Sequence, residues 1–311
     1  MPNVRATFCR TKRVESADTG SEAALWICTG QRLVDDGGAL KNAAGEPLAS
    51  CLEYKTSEDW DESEAITGLY WITGAEDTFK TFCEMSIAGG GWQLVLQASS
   101  RSDFRYGHEV FTSRSPAGPV GDPDPSNDAD VVSPAWWSFA GTETMLCMAE
   151  VDERYCNAWQ NQLTHQGQAE TQTASYMVQN SRIRDYNKRD SQGHCPGVMC
   201  NLDADQAYPD RLWAATTAFD NFMPYQHTNP TYARGIGYVN DEGTRGPVRI
   251  GWGADGDGSD SHDTAIGIGL QRTYEEDHVD GGSGYFMYNG WTSSRPLKAT
   301  MQGFVFVRNS N

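Results

Sequence analysis

The chain has 311 residues, of which 42 are Asp or Glu and 24 are Lys or Arg, for a formal charge of −18. An acid surplus of this size excludes recognition of nucleic acid, or of an anionic membrane, through a basic face, because phosphate contacts need clustered Lys and Arg. Apolar residues make up 38% and glycine fills 32 positions, a loop-rich globular composition rather than a disordered or fibrous one, and no run of 18 apolar residues offers a membrane span.

In chain order, a strand is predicted over 23–29 and a turn at DDGG, 35–38. The segments GLYWIT (68–73) and TFKTFC (78–83) alternate as strands around a turn at 74–77. Three glycines, Gly89, Gly90 and Gly91, lead into a strand over 92–97. Residues 114–134 hold five Pro and four Asp, which predicts an irregular loop. Strands and a short helix are expected over 135–165, with Trp136 and Trp137 in the core. Residues 185–210 are polar. Buried strands are predicted at 248–251 and 265–270, and an alternating strand at 303–307. No internal repeat is visible.

Eight cysteines, Cys9, Cys28, Cys51, Cys83, Cys147, Cys156, Cys195 and Cys200, are an even set with varied spacing. Structural zinc would call for paired C-x-x-C spacing, which is absent. Disulfides are therefore expected, and with them an oxidising, extracellular compartment. Cys195 and Cys200 are expected to pair with each other, and Cys9 or Cys28 could link chains into a homo-oligomer. Residues 1–30 show no leader pattern, so the expectation of secretion rests on the cysteines.

Catalytic patterns are lacking. None of the six histidines stands in HExxH spacing and no GxSxG elbow occurs. The GIG segments at 235–237 and 267–269 are too short for a dinucleotide fingerprint. Carboxylates suffice for a glycosidase pair, but position singles none out. Spacing alone therefore names no catalytic set.

Two carboxylate-rich segments suit a hard cation, which takes six to eight oxygen ligands. One is GADGDGSDSHD, with Asp255, Asp257, Asp260 and Asp263 spaced by small residues. The other runs from Glu275 through Glu276, Asp277 and His278 to Asp280, where mutual repulsion favours a neutralising divalent ion.

The ordered set SCLEY, GLYWIT, TFKTFCEM and AGGGWQLVLQ over residues 50–97 resembles the entry into fibrinogen-related domains. GGSGYF (281–286) and WTSSR (291–295) resemble segments of the X-type lectins, or intelectins, and DTAIGIG (263–269) is similar to a segment of fibrinogen-like domains. The resemblance covers 50–311 and leaves 1–49 unassigned. It implies an α+β domain of short strands, few helices and long irregular loops, with Cys51 and Cys83 stapling a hairpin. The GGGW motif then builds the fold and marks no site.

In function, the resemblance implies a calcium-dependent lectin, in which Ca²⁺ holds a vicinal diol of a terminal microbial sugar beside an aromatic wall. Carried over by position, Glu276 falls on the acidic ligand, Asp277 on the neighbouring histidine, with His278 following, and Trp291 on the wall aromatic. Tyr274 and Tyr288 stand where the family has an amide and a carboxylate ligand. Asn289 could replace the latter, and Tyr285 or Tyr288 could supply a second aromatic. The ion-facing set is then Glu275, Glu276, Asp277 and Asn289. Asp103 falls near a structural calcium of the family. Two other readings fit the same class: an acetyl-group reader with purely structural calcium, or an adhesion module that binds protein.

Overall fold

The structure, a computed structural model, describes residues 10–15, 22–27, 34–42, 44–57, 66–74, 77–113, 115–149, 154–160, 172–180, 231–236, 248–255, 264–274, 277–287 and 297–309. Its centre is a nine-stranded sheet. The path across it is β11 (Arg154–Gln160), β10 (Glu143–Ala149), β18 (Gln302–Arg308), β7 (Trp92–Ala98), β6 (Thr78–Glu84), β5 (Gly68–Thr73), β4 (Ala39–Lys41) and β3 (Val34–Asp36), with β8 (Val131–Val132) beside β7. All neighbours are antiparallel except β4 and β5. A second sheet has five antiparallel strands: β13 (Thr231–Ile236), β14 (Ile250–Asp255), β15 (Thr264–Tyr274), β16 (Asp277–Met287) and β17 (Leu297–Thr300). Two small sheets pair β1 (Arg10–Glu15) with β2 (Glu22–Ile27), and β9 (Ala140–Gly141) with β12 (Gln172–Thr173). The helices are short: α1 (Cys51–Thr56), α2 (Glu109–Thr112), α3 (Ala135–Ser138) and α4 (Ala174–Asn180). Strands dominate and helices are few, as expected of an α+β chain.

Side-chain alternation sorts the central sheet into two apolar faces. Trp92, Leu94, Met145, Cys147, Cys156, Ala158, Phe304 and Phe306 form one buried cluster. Their strand neighbours Val95, Leu96, Leu146, Val305 and Val307 join a larger core with α1, α2, α3, α4 and Ile250, Ile266 and Ile268 of the second sheet. A register shift opposite Val305 and Phe306 gives β7 one extra residue, Val95. Both Leu94 and Leu96 can then face their proper clusters. Trp136 is fully buried, as expected, and Trp137 packs at the core's edge.

The helix α1 begins at a capping pair. Ser50 Oγ accepts the Glu53 N–H at 3.1 Å, and Glu53 reaches back to the Ala49 N–H at 3.0 Å. Tyr54 donates to the Trp71 carbonyl at 2.9 Å and stacks at 4.7 Å on Tyr70, bolting the helix to β5. The Cys51–Cys83 disulfide forms as expected. It ties the first turn of α1 to β6, however, and does not close the hairpin foreseen for it. Cys147 and Cys156 are also bonded, directly opposite each other on β10 and β11. Cys9, Cys28, Cys195 and Cys200 lie outside the described residues.

Glycines form a continuous row across the second sheet: Gly235 opposes Gly251, Gly251 opposes Gly267, and Gly267 opposes Gly284. The last three have φ of 154°, 151° and 145°, a region that L side chains disfavour. A Cβ on Gly267 would overlap the Ile250 carbonyl oxygen and lie 2.8 Å from the Gly251 Cα. Gly267→Ala should therefore lower the unfolding free energy by about 3–5 kcal/mol, through backbone strain and overpacking. Gly68→Ala, where nothing lies within 4 Å of the added carbon, should stay within about 1 kcal/mol. Urea unfolding of both variants checks this, and equal losses would disprove it.

At the end of β18, Arg308 Nε meets Glu143 Oε2 at 2.5 Å with both side chains largely buried. Arg308→Leu strands a buried carboxylate and should cost about 3–5 kcal/mol in the same assay. A loss under about 1 kcal/mol would mean that Glu143 finds solvent.

Candidate functional site

The second sheet carries Asp255, Asp277, His278 and Tyr285 of the residues singled out for ion and sugar binding. Its two longest strands, β15 and β16, pair from Thr264↔Met287 at one end to Tyr274↔Asp277 at the other. With about 3.3 Å per residue, the ten steps of β16 separate those ends by roughly 33 Å. Asp277 and His278 begin β16. Glu275 and Glu276 lie between the paired residues Tyr274 and Asp277, outside the described residues. Tyr285 pairs with Ile266, near the far end of the strand. Eight residues separate it from Asp277, or roughly 26 Å along the strand.

At that far end β14 finishes on Asp255, with Ala254 opposite Thr264, and β17 begins at Leu297, opposite Met287. The chain thus leaves the sheet after Asp255, returns at Thr264, leaves again after Met287 and returns at Leu297, all at one edge. Asp257, Asp260 and Asp263 belong to the first of these excursions, and Tyr288, Asn289 and Trp291 to the second. All six lie outside the described residues. The strand register therefore brings together Asp255 and Tyr285 with the attachment points of those two segments, and holds Asp277 and His278 apart from them.

Asp103 stands elsewhere, on the turn that follows β7. The Ser102 N–H donates to the Ser99 carbonyl at 3.1 Å, closing the turn. Asp130 then clamps it from the Pro-rich loop: Oδ1 accepts the Ser99 N–H at 2.7 Å and Oδ2 the Asp103 N–H at 2.8 Å. Asp128 accepts the Ser100 N–H at 2.7 Å, the Ser100 hydroxyl at 2.6 Å and the Gln302 amide at 3.1 Å. Asp103 itself is exposed. Among the described residues no three carboxylate, imidazole or thiol groups gather closely enough to hold a metal. Asp130 accepts a backbone N–H on each oxygen, and Asp128 divides its oxygens among the Ser100 N–H, the Ser100 hydroxyl and the Gln302 amide.

The turn matters to the second sheet. A Cβ on Gly282 of β16 would overlap the Ser102 carbonyl and lie 2.7 Å from the Ser102 Cβ, so the two backbones touch. Sequence reading picked out Asp103 and passed over Asp128, Asp130 and Gly282. The available signal was the Asp-x-Asp pair closing a Pro-rich loop, since Asp side chains readily accept backbone N–H groups.

The Ser100 hydroxyl and N–H hold the Asp128 carboxyl below its ordinary value of 3.8. A carboxylate with a depressed pKa contributes stability that is present above the unfolded value and lost as the pH falls through the folded one. Asp128 is exposed, so the effect is small. Asp128→Asn should lower Tm by about 1–2 °C at neutral pH. That difference from the parent should shrink below pH 3.8, and an offset that does not change with pH would disprove the clamp.

The chain matches no protein-family model, and no curated protein matches it.

Proposed function

We propose that this chain is a secreted, calcium-dependent lectin with a fibrinogen-related, intelectin-like domain over residues 50–311. It binds terminal microbial glycans through a metal-held vicinal diol and an aromatic wall, and performs no catalysis. The observation that carries this reading is the shared edge of the second sheet. There the segment bearing Asp257, Asp260 and Asp263 and the segment bearing Tyr288, Asn289 and Trp291 are both attached, next to Asp255 and Tyr285. Ca²⁺ holds its oxygens at 2.3–2.6 Å, so its ligands lie within about 5 Å of one another. Residues some 26 Å apart on one strand cannot share an ion. The reading therefore gives the carboxylates of the Asp255–Asp263 segment to the sugar shared with Trp291 and Tyr285, and a separate cation to Glu275, Glu276, Asp277 and His278.

Disulfides are consistent with an oxidising compartment. No helix among the described residues is long and apolar enough to cross a membrane.

A glycan array with millimolar calcium, repeated in EDTA, tests the reading. Binding to diol-bearing sugars that EDTA abolishes is expected. Trp291→Ala and Asp257→Asn should each lower affinity at least tenfold with an unchanged melting temperature. Calcium-independent binding that N-acetyl sugars compete away would establish an acetyl reader instead. No binding in either condition would leave an adhesion module.

A further inference from the structure

We propose that His108 is a pH-sensitive latch on the segment that joins the two large sheets. α2 is a single turn capped by His108, whose imidazole Nδ1 accepts the Val110 N–H at 3.1 Å. Turning the ring over would present a carbon to that N–H, so the bond itself identifies the nitrogen. A neutral imidazole with its proton on Nε2 can accept there; an imidazolium is a donor at both nitrogens. Protonation thus removes the cap and sets two donors against each other.

The ring has little freedom to swing away. It stands edge-on to Phe104 at 5.1 Å, and its own backbone N–H donates to the Arg105 carbonyl at 2.8 Å. A Cβ on Gly118 would come within 3.4 Å of Cε1. Among the described residues, the charged or titratable groups on the elements around it are few. They are Glu109 on α2, whose carboxylate accepts the Gly118 N–H at 3.2 Å, Asp103, Arg105 and Tyr106 before it, Arg249 against the Tyr106 ring, and Tyr176 on α4. The covering segment 115–121, SPAGPVG, has none. Glu109 is exposed and offers an imidazolium only a solvent-screened attraction.

The latch holds a joint between layers. Val110 and Phe111 are fully buried, and the Val110 carbonyl accepts Trp136 Nε1 at 3.3 Å. The Phe111 ring lies 3.0 Å from the Cβ position of Gly269 on β15. Just before α2, Arg249 donates to the Tyr106 carbonyl at 2.7 Å and stacks 4.1 Å from its ring. Loss of the cap loosens the point where helix and turn grip β14 and β15.

Melting curves of the parent, His108→Asn and His108→Ala between about pH 8 and pH 5 test this. Asparagine caps without titrating. Parent and His108→Asn should coincide at about pH 8. The parent should fall about 2 °C below His108→Asn by about pH 5, with His108→Ala low at both. Parallel curves for parent and His108→Asn overturn the proposal. So does a nitrogen NMR spectrum that places the His108 proton on Nδ1 at about pH 8, a reading that does not depend on stability.

Discussion

One guanidinium closes the central sheet. Arg308, the last residue of β18, donates through Nη1 to the carbonyls of Ala88 and Gly90 at 2.9 and 2.7 Å, meets Glu143 through Nε, and lies 4.0 Å above the Trp92 ring. The loop before β7, the start of β10 and the chain's final strand are thereby fastened at one corner. β18 must enter between β7 and β10, strands already laid down far earlier in the chain, and this corner fixes its register. The glycines before Trp92 follow from the same constraint. Gly89, Gly90 and Gly91 all have positive φ, which turns carbonyls toward the arginine. A Cβ on Gly90 would overlap the Met85 carbonyl, and one on Gly91 would press on Leu52 of α1 at 2.7 Å. The GGGW motif is thus a structural lock.

Glycine also decides how the two sheets meet. Gly303 of β18 leaves room for Ile268 at 2.7 Å and for the Ser283 hydroxyl at 2.8 Å, measured from the position a Cβ would take. Gly282 lets β16 sit directly on the Ser102 backbone. The Gly282 contact is with backbone and cannot yield by a rotamer change, so the placement of β16 inherits the rigidity of the central sheet. Asp130 supports this by fixing the turn that β16 rests on. The carboxylates of the Pro-rich loop thus set the position of a strand without touching it.

Much of the framework was legible in the sequence because strands announce themselves locally. β5, β6, β7 and β18 follow alternation and turn residues, and the predicted hairpin 68–83 forms as read. Of the helices only a short one within 135–165 was expected, where α3 stands; α1, α2 and α4 were missed, though α1 carries a Ser-x-x-Glu start at Ser50–Glu53. A helix of four to seven residues completes at most two turns and leaves no 3.6-residue periodicity to detect. Strand order was not legible, since pairing β18 with both β7 and β10 depends on contacts far apart in sequence. The roles of Asp128 and Asp130 were hidden for the same reason: their partners lie 27 to 31 residues earlier, except Gln302, 174 residues later. Of the candidate site, sequence supplied residue types and the strands supplied grouping. Alignment by motif puts Glu276 and Trp291 in one site; both lie outside the described residues, and register places Asp277 and Tyr285 near different ends of β16.

That grouping has an electrostatic logic. Carboxylates crowded at one place repel each other unless water or a cation intervenes, and a chain with 42 acidic residues has a reason to spread them. Asp255 and Asp277 stand at opposite ends of the second sheet, roughly 33 Å apart along β16, which is several Debye lengths of about 8 Å at physiological salt. On the proposed function each end then takes up or releases a cation independently, and the end from which the Trp291 segment departs, beside Tyr285, is the one assigned to the sugar's apolar edge.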